Sequence, residues 1–187
     1  DRAEAMIRKA VALDPNTQVT RYPMALVHFV KFQREMYMSE AEHVLRLNPN
    51  HALYVASVAV DLGMMGDWER GMKWMKRAMH LNPHHPGWYH ILPFMNAYRQ
   101  GGYDRAWDEA QRFNSPDLFW DPLIRTAALG QLGRRSEAEK SVAELLALMP
   151  NFTTRGPKVM RRIVYSRENV ELLLDGLRKA GLETRNE

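Results

Sequence analysis

Apolar and polar residues recur along this chain with helical rather than strand periodicity. Small or apolar residues fall at intervals of four and three in four sets: Ala3, Ile7 and Ala10; Tyr37, Ala41 and Val44; Gly71, Met75 and Ala78; Ala138, Val142 and Leu145. Residues so spaced lie on one face of an α-helix. Each set ends five residues before a proline, which lacks an N–H and clashes with the preceding turn, so each proline is expected to stop its helix. Upstream of three such helices lie glycine turns: Gly66-Asp67-Trp68, Gly101-Gly102-Tyr103 and Gly133-Arg134-Arg135. Glycine takes the left-handed backbone conformation that closes a helix. One turn departs from the pattern: Phe32 stands where glycine is expected, which predicts an unusual turn. Pro93 falls inside a predicted helix and predicts a kink, leaving the register across Trp88–Tyr98 open by one residue. Ser115-Pro116-Asp117 replaces the usual helix end.

The pattern repeats. Leu13-Asp14-Pro15-Asn16 returns as Leu47-Asn48-Pro49-Asn50, Leu81-Asn82-Pro83-His84 and Leu148-Met149-Pro150-Asn151, with a weaker copy at Phe113-Asn114-Ser115-Pro116. The prolines stand at 15, 49, 83, 116 and 150, in steps of 34, 34, 33 and 34. A 34-residue period closed by proline resembles the tetratricopeptide (TPR) repeat, a helix–turn–helix unit. The resemblance implies an all-α TPR-type α-α superhelix, a right-handed solenoid. Residues 1–151 divide into a half repeat (1–16) and repeats 17–50, 51–84, 85–117 and 118–151. Residues 152–187 form a basic connector and a capping helix, in which Ser166 is the N-cap and Val170, Leu173, Leu174 and Leu177 recur at helical spacing.

Residues 1–13 read as the second helix of a repeat whose first helix is absent, so the chain is expected to be a piece of a longer protein. Met6, Ile7, Ala10 and Val11 are then partly uncovered, and self-association through that edge is the expectation.

Composition narrows the chemistry. The 187 residues contain no cysteine, which excludes disulfides, thiolate metal sites and a cysteine nucleophile. Twenty-six basic and 22 acidic residues leave a net charge of +4. No apolar run approaches the roughly 18 residues that suggest a membrane span. No signal peptide is visible, so a cytoplasmic protein is expected. The chain lacks a phosphate-binding loop and a dinucleotide fingerprint, and no cofactor or enzymatic activity is expected.

His80, His84, His85 and His90 crowd one turn, but a zinc site needs convergent ligands from fixed elements and none is expected. Asp104, Asp108 and Glu109 have the spacing of a solvated helix face. The basic residues Arg155, Lys158, Arg161 and Arg162 lack aromatic stacking platforms beyond Tyr165, which argues against nucleic acid. They are expected to contact acidic residues of the preceding repeats.

The first helix of each TPR unit lines an inner, concave face. Counting back from the prolines places Tyr22, Leu26, Phe29, Val60, Met64, His90, Phe94, Tyr98, Trp120, Leu123 and Gln131 there, with Trp88 as the alternative register. Such a groove is apolar and aromatic, suited to an amphipathic helix or an extended peptide with large side chains. Joint truncation of Phe29 and Tyr98 to alanine is expected to weaken a partner without loss of helicity.

Three stretches are more specific: His85-Pro86-Gly87-Trp88-Tyr89; Phe119-Trp120-Asp121-Pro122 with Ala127-Ala128-Leu129-Gly130-Gln131-Leu132-Gly133; and Leu173-Leu174-Asp175-Gly176-Leu177-Arg178-Lys179-Ala180-Gly181-Leu182. Together they resemble the C-terminal TPR region of bacterial class III adenylate/guanylate cyclase-type proteins. Related regions follow winged-helix transcriptional regulators. The resemblance implies a protein-interaction and regulatory module of a larger bacterial signalling protein, with an adenylate cyclase as its output domain. The alternatives are a stand-alone scaffold or assembly factor and an accessory domain of a winged-helix regulator.

Overall fold

The computed structural model describes residues 2–184; Asp1 and residues 185–187, the outer ends of the predicted half repeat and capping segment, lie outside the described residues. These contain eleven α-helices and one 3-10 helix. The chain forms two compact units, one up to His84 and the other from His85, and their border falls on a predicted repeat boundary.

The first unit holds α1 (Arg2–Leu13), α2 (Gln18–Val30), α3 (Arg34–Leu47), α4 (Ala52–Met64) and α5 (Trp68–Leu81). Helices α2 and α3, and again α4 and α5, pack as hairpins. The predicted faces are the buried ones: Tyr37, Ala41 and Val44 on α3, and Gly71, Met75 and Ala78 on α5. Gly71 is required by proximity, since a Cβ there would stand 2.8 Å from the Ala59 carbonyl oxygen of α4. The buried Gln18 side chain donates to the Val44 and Asn48 carbonyls (2.7 and 2.9 Å), satisfying acceptors at the end of α3. Helix α1 buries no residue at all, and Met6 is 65% exposed.

The second unit begins with a 3-10 turn (Gly87–His90) and continues with α6 (Ile91–Arg99), α7 (Tyr103–Phe113), α8 (Trp120–Gln131), α9 (Arg135–Leu148), α10 (Phe152–Ile163) and α11 (Arg167–Lys179). Pro93 does not kink a long helix as expected. The 3-10 turn takes the first part of the segment, and Pro93 sits in the first turn of α6, where no intrahelical donor is needed. The basic connector is itself a helix, α10. Its apolar face, Phe152 and Met160, is fully buried. Helix α11 packs chiefly on α8.

The helix hairpins close by one recurring device. At the end of α4 the Gly66 N–H donates to the Gly63 carbonyl and the Asp67 N–H to the Leu62 carbonyl, both at 2.8 Å. This is the bond pair of a Schellman motif, and Gly66 has φ +92°. The same bonds recur around Gly101, Gly133 and Gly181. They recur also around Phe32, whose φ is +57°. The turn at Phe32 is therefore regular rather than unusual: a phenylalanine takes the left-handed conformation its counterparts leave to glycine, at a steric cost of roughly 1–2 kcal/mol.

Candidate functional site

The predicted groove residues do not form one exposed surface. Phe29 and Met64 in the first unit, and Phe94, Tyr98 and Leu123 in the second, lie in the core. Phe29 meets Tyr37 edge-on at 5.8 Å and Phe94 stacks on Tyr98 at 5.2 Å, so these rings serve intra-unit packing. The periodicity that marks a first helix also marks the side it buries, and sequence spacing alone does not separate the two. Tyr22, Leu26, Val60, Trp88, His90, Trp120 and Gln131 are half-buried. Two of the predicted residues are engaged by α11. The Tyr98 hydroxyl donates to the Leu172 carbonyl (3.2 Å), and the Gln131 amide donates to Asp175 (2.9 Å). The contact is very close, because a Cβ on Gly176 would stand 2.6 Å from the Ala127 oxygen, and one on Gly130 would run into the Gly176 oxygen.

Tyr22 takes part in a buried polar network. Its hydroxyl and that of Tyr37 both donate to Asp61 Oδ2, at 3.0 and 2.9 Å. Burial pushes the Asp61 carboxyl up to about 7, and the two tyrosine hydroxyls oppose that rise by bonding the carboxylate. Burial, followed by the Asp61 charge, likewise raises the Tyr22 hydroxyl. All three groups are satisfied by one another, which marks a structural network.

The histidine turn has a different partner from the one a metal site would need. His90 Nδ1 lies 2.6 Å from Glu109 Oε2, and His85 stacks on Tyr89 at 5.1 Å. Glu109 is buried, not on a solvated face as its spacing suggested. Among the described residues no group of three or more His, Asp or Glu is placed to hold a metal ion. None of the helices there is long and apolar enough to cross a membrane.

Helix α10 carries four cations and no carboxylate, equal to the net charge of the whole chain, so the other residues sum to zero. Its Arg161 pairs forward with Glu171 of α11 (2.9 Å).

A cavity that the repeat pattern did not predict lies in the first unit. An open apolar cleft of about 500 Å³ runs between α3 and α5. Val58 and Leu62 of α4, both buried, form its floor. Met38 and Leu45 line it from α3 and Trp74 from α5. Arg77 lies over Trp74, 6.0 Å from the ring centroid, and donates to the Pro49 carbonyl (3.1 Å) and to Asn50 Oδ1 (2.6 Å). These fixed bonds hold the guanidinium beside the cleft against neutral partners. Sequence periodicity assigned only the buried stripe of each second helix. The signal for the cleft was the additional apolar residues Met38, Leu45 and Trp74, flanking that stripe on two successive second helices.

No protein-family model matches the chain, and no curated protein sequence matches it. Solved structures do. One is YrrB, a TPR protein described as having an unusual peptide-binding site: 14% identical, TM-score 0.57, with 93% of this chain and 90% of that one covered. Another is MamA MSR-1 C2, at 22% identity and TM-score 0.54, with 88% of this chain and 94% of that one covered. At these identities the likeness establishes the fold: an all-α, TPR-like helical repeat.

Proposed function

We propose that this chain is a non-catalytic protein-interaction module that takes a peptide segment of its partner into the cleft between α3 and α5. The observation that carries this reading is the cleft itself, an open apolar cavity of about 500 Å³ with a floor of fully packed core residues. Its size falls within the range of ligand pockets, and a preformed floor loses little ordering entropy on docking. YrrB, a TPR protein with an unusual peptide-binding site, is an instance of this fold being used for peptides. The test is a photo-crosslinking amino acid in place of Met38. Illumination in cells is expected to give a discrete protein adduct; absence of any adduct at Met38, with the same probe active elsewhere on the chain, overturns the proposal.

A finer reading attaches the module to an upstream output domain, a nucleotide cyclase or a winged helix. What supports it is the three stretches of residues 85–182 named above. Packing accounts for several of their residue types: a Cβ on Gly87 would run into the Phe113 carbonyl, Asp121 accepts from the Ser115 N–H (2.6 Å), and Gly130 abuts Gly176. Sequencing the reading frame upstream of Asp1 tests it. A cyclase domain or winged helix is the expected result, and a run of further repeats back to a start codon overturns it.

A further inference from the structure

Resting on the peptide reading above, we infer that the cleft selects an acidic amphipathic segment: one bulky apolar anchor flanked by carboxylates that face α5. The two walls differ in charge. Helix α5 carries Arg70, Lys73, Lys76 and Arg77 against a single acid, Glu69, whereas α3 carries Glu35, Glu40 and Glu42 against Arg34 and Arg46. The rim ion pairs close within or at the start of their own helices: Arg46 with Glu42 at 3.8 Å, and Arg70 with the α5 cap Asp67 at 2.5 Å. Arg70 also reaches across the cleft to Met38 Sδ (3.9 Å) and feels the Asp67 and, more weakly, the Glu42 charge, so it is already matched by acids, whereas Arg77 bonds only to neutral groups.

Arg77 is the decisive group. Its guanidinium is held in place by a carbonyl, an amide and the Trp74 face, none of which offsets its charge. Two of the three groups it touches, Pro49 and Trp74, line the cleft. An apolar side chain seated on Leu62 and Trp74 thus brings its sequence neighbours to the α5 rim. A carboxylate there gains a charge-assisted hydrogen bond, whereas a lysine there meets like charge. The cleft supplies anchorage, and the asymmetry of its rim supplies selectivity and orientation.

The test is selection of random twelve-residue peptides displayed on phage against the whole chain, followed by titration of synthetic copies of the winners at low and at physiological salt. The expected winners carry an aromatic or large aliphatic anchor with Asp or Glu within a few positions. Arg77→Gln is expected to weaken them by about tenfold, the equivalent of one charge-assisted contact. Leu45→Trp, which fills the cleft, is expected to abolish binding, with circular dichroism confirming that both variants stay folded. Winners that depend on Leu45 but show no acidic bias, or that ignore Arg77→Gln, overturn this inference and leave the peptide reading standing. Winners indifferent to Leu45→Trp, or no winners at all, overturn both.

Discussion

At the scale of single residues, Phe32 is the clearest test of how the turns work. It stands in the left-handed region at φ +57° where four glycines stand elsewhere. Phe32→Gly removes the steric cost and adds the backbone entropy of glycine, and the balance is a stabilisation of about 0.5–1 kcal/mol. Urea denaturation of the two proteins measures it. Asp61 gives a pH prediction. Its folded-state value, about 7, lies above the ordinary 3.8, so the fold binds the proton more tightly than the unfolded chain does. The stabilisation from this group is complete below pH ~4 and is lost as pH rises to ~7, a change on the order of a few kcal/mol. Asp61→Asn, which still accepts from both tyrosines, is expected to remove that decline. The difference between the two stability curves over this window is the readout, because carboxylates lowered by ion pairs, such as Asp175 beside Lys179, work in the opposite direction in both proteins. A third prediction reverses the sequence-based one. Phe29→Ala with Tyr98→Ala empties two core sites, at about 3–5 kcal/mol each. Thermal unfolding followed at 222 nm should show a large drop in Tm, not a folded protein with a weakened groove.

Among the helices, most of the architecture was legible from the sequence. Prolines at a fixed step and apolar residues at offsets of four and three record local facts, where a helix stops and which face it hides, and these depend on a few adjacent residues. Helix α10 was harder to read, because Gly156 and Pro157 interrupt its sequence. Pro157 stands in the helix interior, where it supplies no N–H to the preceding turn, and the apolar face that drives α10 into the core is only Phe152, Met160 and their neighbours. The contact of α11 with α8 was not legible either, although its residues were on view. Gly130 and Gly176 stand in two stretches singled out for their family resemblance, yet nothing in either stretch says that one glycine will face the other. The prediction at this scale is that Gly176→Ala, which places a Cβ 2.6 Å from the Ala127 oxygen, costs about 1–3 kcal/mol by overpacking. Hydrogen exchange of the α11 amides should rise more than that of α4. Unchanged exchange would mean that the two helices do not need this closeness.

Across the whole molecule, the sequence placed a binding face on the first helices, and the structure offers an apolar cleft of about 500 Å³ between second helices. The reason is physical. Periodicity within a helix reports the side it buries, whereas a cleft depends on the distance between helices of different repeats, which no single helix encodes. The same reasoning bears on α1. Its apolar positions match those buried on α3 and α5, yet none of its residues is buried. Light scattering is expected to show a mass rising with concentration above 21.7 kDa, and Met6→Lys is expected to reduce the rise; a constant monomer mass would refute self-association at this edge. The helix ends carry a further consequence. The backbone N–H groups of each Schellman closure bond only to carbonyls within the five preceding residues, so the closure is written in the end of a single helix. A duplicated stretch of coding sequence cut at these points brings its own stop with it. The chain can lengthen or shorten by whole helix pairs without any turn having to be invented again, and Phe32 shows that such a seam forms even without a glycine.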